Sequence, residues 1–147
     1  MIEKFREFTS LILSLNRAIK KIKAEEMSDY NLKSVHVSCL YYIRKAGCIT
    51  AKELVILCGE DKASISRALS FLDNQGYIVC DNGANKKYKA TISLTEKGNE
   101  IAMLIHNKVD SALAKAGAGV NDDDREVMYR SLKTINYNLN KLCEKYD

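Results

Sequence analysis

No stretch of this 147-residue chain stays apolar for the ~18 residues that a membrane-spanning helix needs, and no signal peptide is visible. A cytoplasmic protein is therefore expected. The five cysteines (Cys39, Cys48, Cys58, Cys80, Cys143) show no C-x-x-C spacing. Their odd number argues against a disulfide framework. The two histidines, His36 and His106, have no cysteine at ligand spacing, so no structural zinc, other metal or cofactor is expected. A Gly-rich phosphate loop and a nucleophile elbow are missing, and neither histidine has an obvious triad partner. An enzyme is thus not expected. Charge of one sign is also scarce. With 23 Lys+Arg against 19 Asp+Glu the net is +4. The segment from Thr50 to Lys97 holds seven basic and six acidic residues, a net of about +1. Affinity for a polyanion must then come from where charge is placed, not from its total. What remains is a 46% hydrophobic, 29% charged chain, composed like a globular protein and long enough for one domain with a core.

The chain is organised around Ile49 to Thr95. Thr50 and Glu53 have the spacing of a capping box, which satisfies backbone N–H groups at a helix start. Leu54, Leu57 and Cys58 fall on one face of the short helix that follows. Gly59 supplies a turn with positive φ. Asp61 is placed to cap a second helix, its charge at the positive dipole end. There Ile65, Ala68, Leu69 and Leu72 share a face at steps of three and four. Ser64, Arg67 and Phe71 occupy the other, with Lys62 and Ala63 at the leading end. Short side chains would let this helix approach a major-groove floor, where an arginine can pair bidentately with guanine. An ordinary solvated helix face would use the same residues, and the hairpin that follows favours the DNA reading. From Tyr77 to Asp81, and again from Tyr88 to Leu94, residues alternate with a period of two. Asp81-Asn82-Gly83-Ala84-Asn85 is turn chemistry. Lys86, Lys87 and Lys89 lie at the tip and on the return strand. They would reach phosphates or the minor groove, or merely keep a loop soluble. Two short helices, a turn and a hairpin make a winged helix-turn-helix, mainly α with a small β-hairpin wing (α+β), spanning 32–98. Its expected DNA contacts are Lys62, Ala63, Ser64, Ser66, Arg67, Lys86, Lys87 and Lys89.

Several words in this stretch (Ile49-Thr50-Ala51-Lys52-Glu53-Leu54, Asp61-Lys62-Ala63-Ser64-Ile65-Ser66-Arg67, Leu72-Asp73-Asn74-Gln75-Gly76-Tyr77-Ile78 and Ser93-Leu94-Thr95-Glu96-Lys97-Gly98) resemble the MarR family of bacterial transcription regulators. The motifs cover about Leu32 to Ile105, and the helix layout the whole chain. The resemblance implies a homodimer that binds a pseudo-palindromic double-stranded DNA operator, usually as a repressor, and is released by a small, often phenolic, ligand or by an oxidant. Two departures stand out. Such wings usually carry an Asp followed by arginines, where this chain has Lys86, Lys87 and Tyr88. Lysine neutralises a phosphate but lacks the planar fork that reads a groove, so the wing would position more than specify. Lys33 stands where a threonine often precedes the second helix, leaving Ser34 to cap it. Peroxide-sensing relatives carry their reactive cysteine in the first helix, and none occurs before Cys39 here. Cys39 and Cys58 are expected to act as small buried hydrophobes.

Outside the central stretch, Ile2, Phe5, Phe8, Ile12, Leu15, Ile19 and Ile22 mark a long amphipathic first helix. Glu25 to Asn31 reads as a linker turn. A second helix is expected from Ser34 to Lys45, with Val37, Leu40, Tyr41 and Ile43 in the core. Thr95 would cap a long helix reaching Leu113, broken at 116–119, and Asn121 would cap the last. There Met128, Leu132, Ile135, Leu139, Leu142 and Tyr146 make a narrow packing seam. Segments 1–30 and 100–147 carry more apolar surface than the winged lobe can cover. They are expected to be dimerisation helices of one domain spanning 1–147. Tyr41 and Tyr42 would line an effector pocket, or pack one in the core and one at the surface; His36 is a further effector candidate, otherwise an interface or surface residue. A winged-helix module that binds proteins and has lost specific DNA binding is the alternative function.

Overall fold

The structure, a computed structural model, describes residues 1–81 and 90–147. They fall into two compact units, Met1–Leu113 and Ala114–Asp147.

The first unit is built on α2 (Ser34–Ala46), which packs against α1 (Ile2–Glu26), α3 (Ala51–Cys58), α4 (Lys62–Asn74) and α5 (Glu96–Ile105). Val37, Cys39, Leu40 and Ile43 of α2 are buried, against Leu54 of α3, Ile65, Ala68 and Leu72 of α4, and Ile101 and Ile105 of α5. Each large aliphatic side chain so covered stabilises the fold by roughly 1.5–3 kcal/mol relative to exposure. A small antiparallel sheet closes one edge in the order β1-β3-β2, with β1 Ile49–Thr50, β2 Ile78–Asp81 and β3 Thr91–Leu94. Ile92 on the central strand faces both Ile49 and Cys80. Ile49-Thr50 thus reaches the wing as a short bridging strand.

The sequence motif Leu94-Thr95-Glu96-Lys97-Gly98 has a mechanical explanation. Thr95 N–H and Oγ1 donate to the carbonyls of Tyr77 (3.0 Å) and Gly76 (2.6 Å). Its Oγ1 in turn accepts from Gly98 N–H at 3.0 Å, capping α5. Lys97 Nζ donates to Gln75 O at 2.6 Å and lies over the Tyr77 ring. A Cβ on Gly98 would overlap the Tyr77 carbonyl oxygen. The whole word therefore fastens α5 to the turn between α4 and β2.

Several expectations are corrected. The first helix continues through Glu26, and Met27, fully buried, anchors a 3₁₀ turn at Ser28–Tyr30 where only a linker was expected. Ser34 does not cap α2. Lys33 is the N-cap residue, and its N–H is taken by His36 Nδ1 at 3.0 Å. Tyr41 and Leu57 are exposed, because α2 and α3 turn the neighbouring Leu40 and Leu54 inward instead. The helix after Thr95 is interrupted by a π-helical turn at His106–Asp110, where His106 Nδ1 and Asp110 Oδ2 are 2.7 Å apart, before α6 (Ser111–Ala114).

The second unit holds a 3₁₀ turn (Lys115–Gly117), Gly119 with φ +84°, and α7 (Asp122–Cys143). Asn121 Oδ1 accepts from Asp124 N–H at 2.8 Å, so the expected cap is in place. Asp122, Asp123 and Asp124 fill the first turn, at the positive end of the helix dipole. Arg125 folds back to the carbonyls of Gly117 and Val120. No residue of α7 is buried. Among the described residues, no helix is long and apolar enough to cross a membrane.

Candidate nucleic-acid interface

The two short helices are set by their ends. Thr50 Oγ1 accepts from Glu53 N–H (3.2 Å), and Glu53 Oε2 accepts from Thr50 N–H (2.9 Å), so the capping box starts α3. Gly59, left-handed at φ +63°, turns the chain out of α3. Asp61 then caps α4: its Oδ1 accepts from Ser64 N–H at 2.6 Å and its Oδ2 from Ser64 Oγ at 3.2 Å. Arg67 Nη2 continues the chain by donating to Ser64 Oγ at 3.3 Å. The Ser64 backbone N–H is the main reason that the Asp61 carboxyl sits below its ordinary pKa, with the Ser64 hydroxyl and Arg67 acting in the same direction. One acid at a helix start therefore orders a serine, and the serine holds an arginine one turn further on.

The inner face of α4 is sealed by Ile65, Ala68 and Leu72. Lys62, Ala63, Ser66 and Arg67 are exposed, and Ser64 is half-buried in the network just described. Five of the eight expected DNA contacts are thus carried by one helix. Lys86, Lys87 and Lys89 lie outside the described residues.

Phe71 and His36 depart from expectation together. Phe71, expected on the outward face with Arg67, is half-buried. Its ring stacks on His36 at 4.3 Å between centroids and 17° between planes. His36, expected at a surface or interface, is only 6% exposed. Burial, with the nearby Lys33 ammonium adding to it, pushes the imidazole below its ordinary pKa. His36 therefore joins the start of α2 to α4, a role hidden in sequence because the two residues are far apart along the chain. The Asp61-Ser64-Arg67 chain was more accessible, since residues three apart on a helix are neighbours.

The three effector candidates separate. Tyr41 and Tyr42 pack edge to face, with centroids 5.0 Å apart. Both line a cavity of about 300 Å³ with Lys23, Ser38 and Asp110. His36 instead borders a different concavity, beside Lys33, Ser64, Arg67 and Phe71.

No protein-family model matches the sequence. The solved structure of the transcriptional regulator SlyA aligns over 95% of this chain and 99% of its own, with a TM-score of 0.85 and 21% identity. A mutant MarR from E. coli, complexed with operator DNA, aligns over 92% of this chain and 97% of its own, with a TM-score of 0.76 and 23% identity. The fold is that of the MarR regulators. A curated relative is similar in sequence as well. YwaE of Bacillus subtilis, described as an uncharacterized HTH-type transcriptional regulator, is 21% identical over 131 residues, covering 89% of this chain and 77% of YwaE. At these identities the likeness is one of architecture. In MarR terms, α3 and α4 are the helix-turn-helix, and β2 and β3 are strands of the wing.

Proposed function

We propose that this chain is a MarR-type transcriptional regulator that binds a pseudo-palindromic duplex operator as a homodimer and acts as a repressor in the cytoplasm. The observation that carries this reading is the outer edge of α4. Lys62, Ala63, Ser66 and Arg67 are exposed there, opposite a sealed apolar face, with Arg67 held by Ser64 and Asp61. Such a helix can enter a major groove, where Arg67 pairs with a guanine edge and Lys62 neutralises phosphate. That an E. coli MarR protein of the same fold was crystallised with operator DNA adds support.

Dimerisation is supported by uncovered apolar faces within each unit. On α1 they include Phe5, Ile12, Leu15 and Ile19; on α7, Met128, Leu139 and Leu142. Segments 1–30 and 100–147 would then join two copies, setting two α4 helices about 34 Å apart for successive major grooves. The signal that releases DNA is a small molecule, such as a phenol, or an oxidant; the Tyr41–Tyr42 cavity suits the former. Selection of bound fragments from a random duplex pool tests the reading. A shared inverted repeat is expected. Recovery of no preferred sequence would overturn it and leave the protein-interaction module.

A further inference from the structure

One aromatic contact joins the start of α2 to the helix proposed to enter DNA. The His36 and Phe71 rings are stacked, 4.3 Å apart between centroids and 17° between planes. Phe71 lies on α4 one turn after Arg67, which makes the two neighbours on that helix. His36 is held from its own helix as well, where its Nδ1 accepts the Lys33 N–H at 3.0 Å. It is buried, yet it lines a concavity that Ser64, Arg67 and Phe71 also border.

We propose that His36 is a positioning residue for the Arg67 edge of α4, and that gaining a proton on its Nδ1 loosens that edge and lowers affinity for duplex DNA. The effect on affinity rests on the DNA-binding reading; the movement of α4 stands without it.

The neutral ring suits this place and the charged ring does not. With Nδ1 accepting a backbone N–H, the single ring proton sits on Nε2. A second proton can go only to Nδ1. That nitrogen then becomes a donor facing another donor, so the bond from Lys33 is lost and two N–H groups are set against each other. The charged side chains around the same concavity are Glu25 from α1, Lys33 ahead of α2 and Arg67 from α4. Both cations repel an imidazolium, while Glu25 is exposed, where water and salt screen it. Cation–π attraction to Phe71 acts the other way. It does not restore the Lys33 bond, and burial with the Lys33 charge holds the imidazole below its ordinary pKa.

A charged His36 must therefore turn toward water. Phe71 then loses the ring it rests on, and Arg67, on the preceding turn of α4, loses its fixed placement. The sign of the effect is distinctive. Acid adds positive charge to the chain, which by itself tightens binding to a polyanion. Loss of affinity in acid thus marks this contact and not the general field. Linkage bounds its size, because affinity changes by at most about tenfold per pH unit for each proton taken up.

The test uses the full chain. Imidazole, aromatic and amide signals are followed by NMR from pH ~7.5 to ~5, and affinity for the selected duplex is measured over the same range at constant salt. We expect the Phe71 ring signals and the α4 amides to shift together with the His36 titration, and affinity to fall at least roughly fivefold. His36→Gln, whose amide oxygen can still accept the Lys33 N–H, should show no such fall, whatever its affinity at neutral pH. Phe71→Leu should leave the His36 titration in place and remove its effect on affinity. His106→Gln should keep the wild-type profile. Affinity that stays level or rises in acid, or a His36→Gln profile as steep as that of the wild type, would overturn the effect on DNA. A His36 that takes up no proton in this range, or whose titration leaves the Phe71 and α4 signals in place, would overturn the positioning role. If the protein selects no duplex, the DNA reading fails, while the NMR titration still decides whether His36 moves α4.

Discussion

Arg67 and His36 border the same concavity beside Phe71 and have opposite demands. Arg67 must keep its charge outward, and the Ser64 hydroxyl limits its wandering. Arg67→Ala should cost about 1–3 kcal/mol at one base pair per half-site and relax preference there, leaving nonspecific binding nearly intact. A gel shift comparing the selected duplex with a scrambled one measures this. Lys62→Ala should instead weaken binding to every sequence and reduce the salt slope by about one. His36 must stay neutral, because its Nδ1 accepts the Lys33 N–H and its ring lies on Phe71. Its folded pKa lies below the ordinary value of ~6.5. The folded state therefore binds fewer protons than the unfolded chain near that pH. This contribution to stability is complete above pH ~6.5 and is lost as pH falls through the folded value. Urea midpoints between pH ~7.5 and ~5 should drop for the wild type more steeply than for His36→Gln. Equal slopes would show that His36 does not titrate in this way.

Helix ends rather than helix middles decide how α3, α4 and α5 are placed. Thr50, Asp61 and Thr95 each accept the backbone N–H three residues on. Thr50→Ala should lower stability by about 1 kcal/mol, read from chemical denaturation. Gly98→Ala should do more harm, because the added methyl meets the Tyr77 carbonyl, part of the backbone, rather than a side chain free to move. About 1–3 kcal/mol is expected, with an unchanged denaturant slope. These caps and the apolar steps of α4 were readable from the residues, since capping and amphipathicity are local. The ends of α1 and the π-helical turn at His106–Asp110 were not. Helical spacing alone does not reveal that Met27 is buried, nor how the helix after α5 re-registers.

Two chains are needed if the exposed apolar faces of α1 and α7 are to be covered by copies of themselves. The seam from Met128 to Leu142 recurs at steps of four and three, as helix pairs require. Leu15 is 56% exposed, so charge there should leave a single chain folded but unable to pair. Leu15→Glu is expected to halve the solution mass in light scattering and to abolish operator binding, with helical content kept. A variant that remained paired would place the interface elsewhere. With a net charge of only +4, the proposed dimer would have to draw its affinity for DNA from two weakly basic edges, correctly spaced.

By itself the sequence determined the local devices: the Thr50–Glu53 box, the Asp61 cap, the sealed and open faces of α4, and the presence of paired strands after it. Each depends on residues within a turn or a strand of one another, where spacing dictates geometry. Only the tertiary structure decided that His36 lies under Phe71 and that Gly98 is pressed on Tyr77. Those contacts join separate elements, and which side chains meet there depends on how the helices pack, which no period in a single segment encodes.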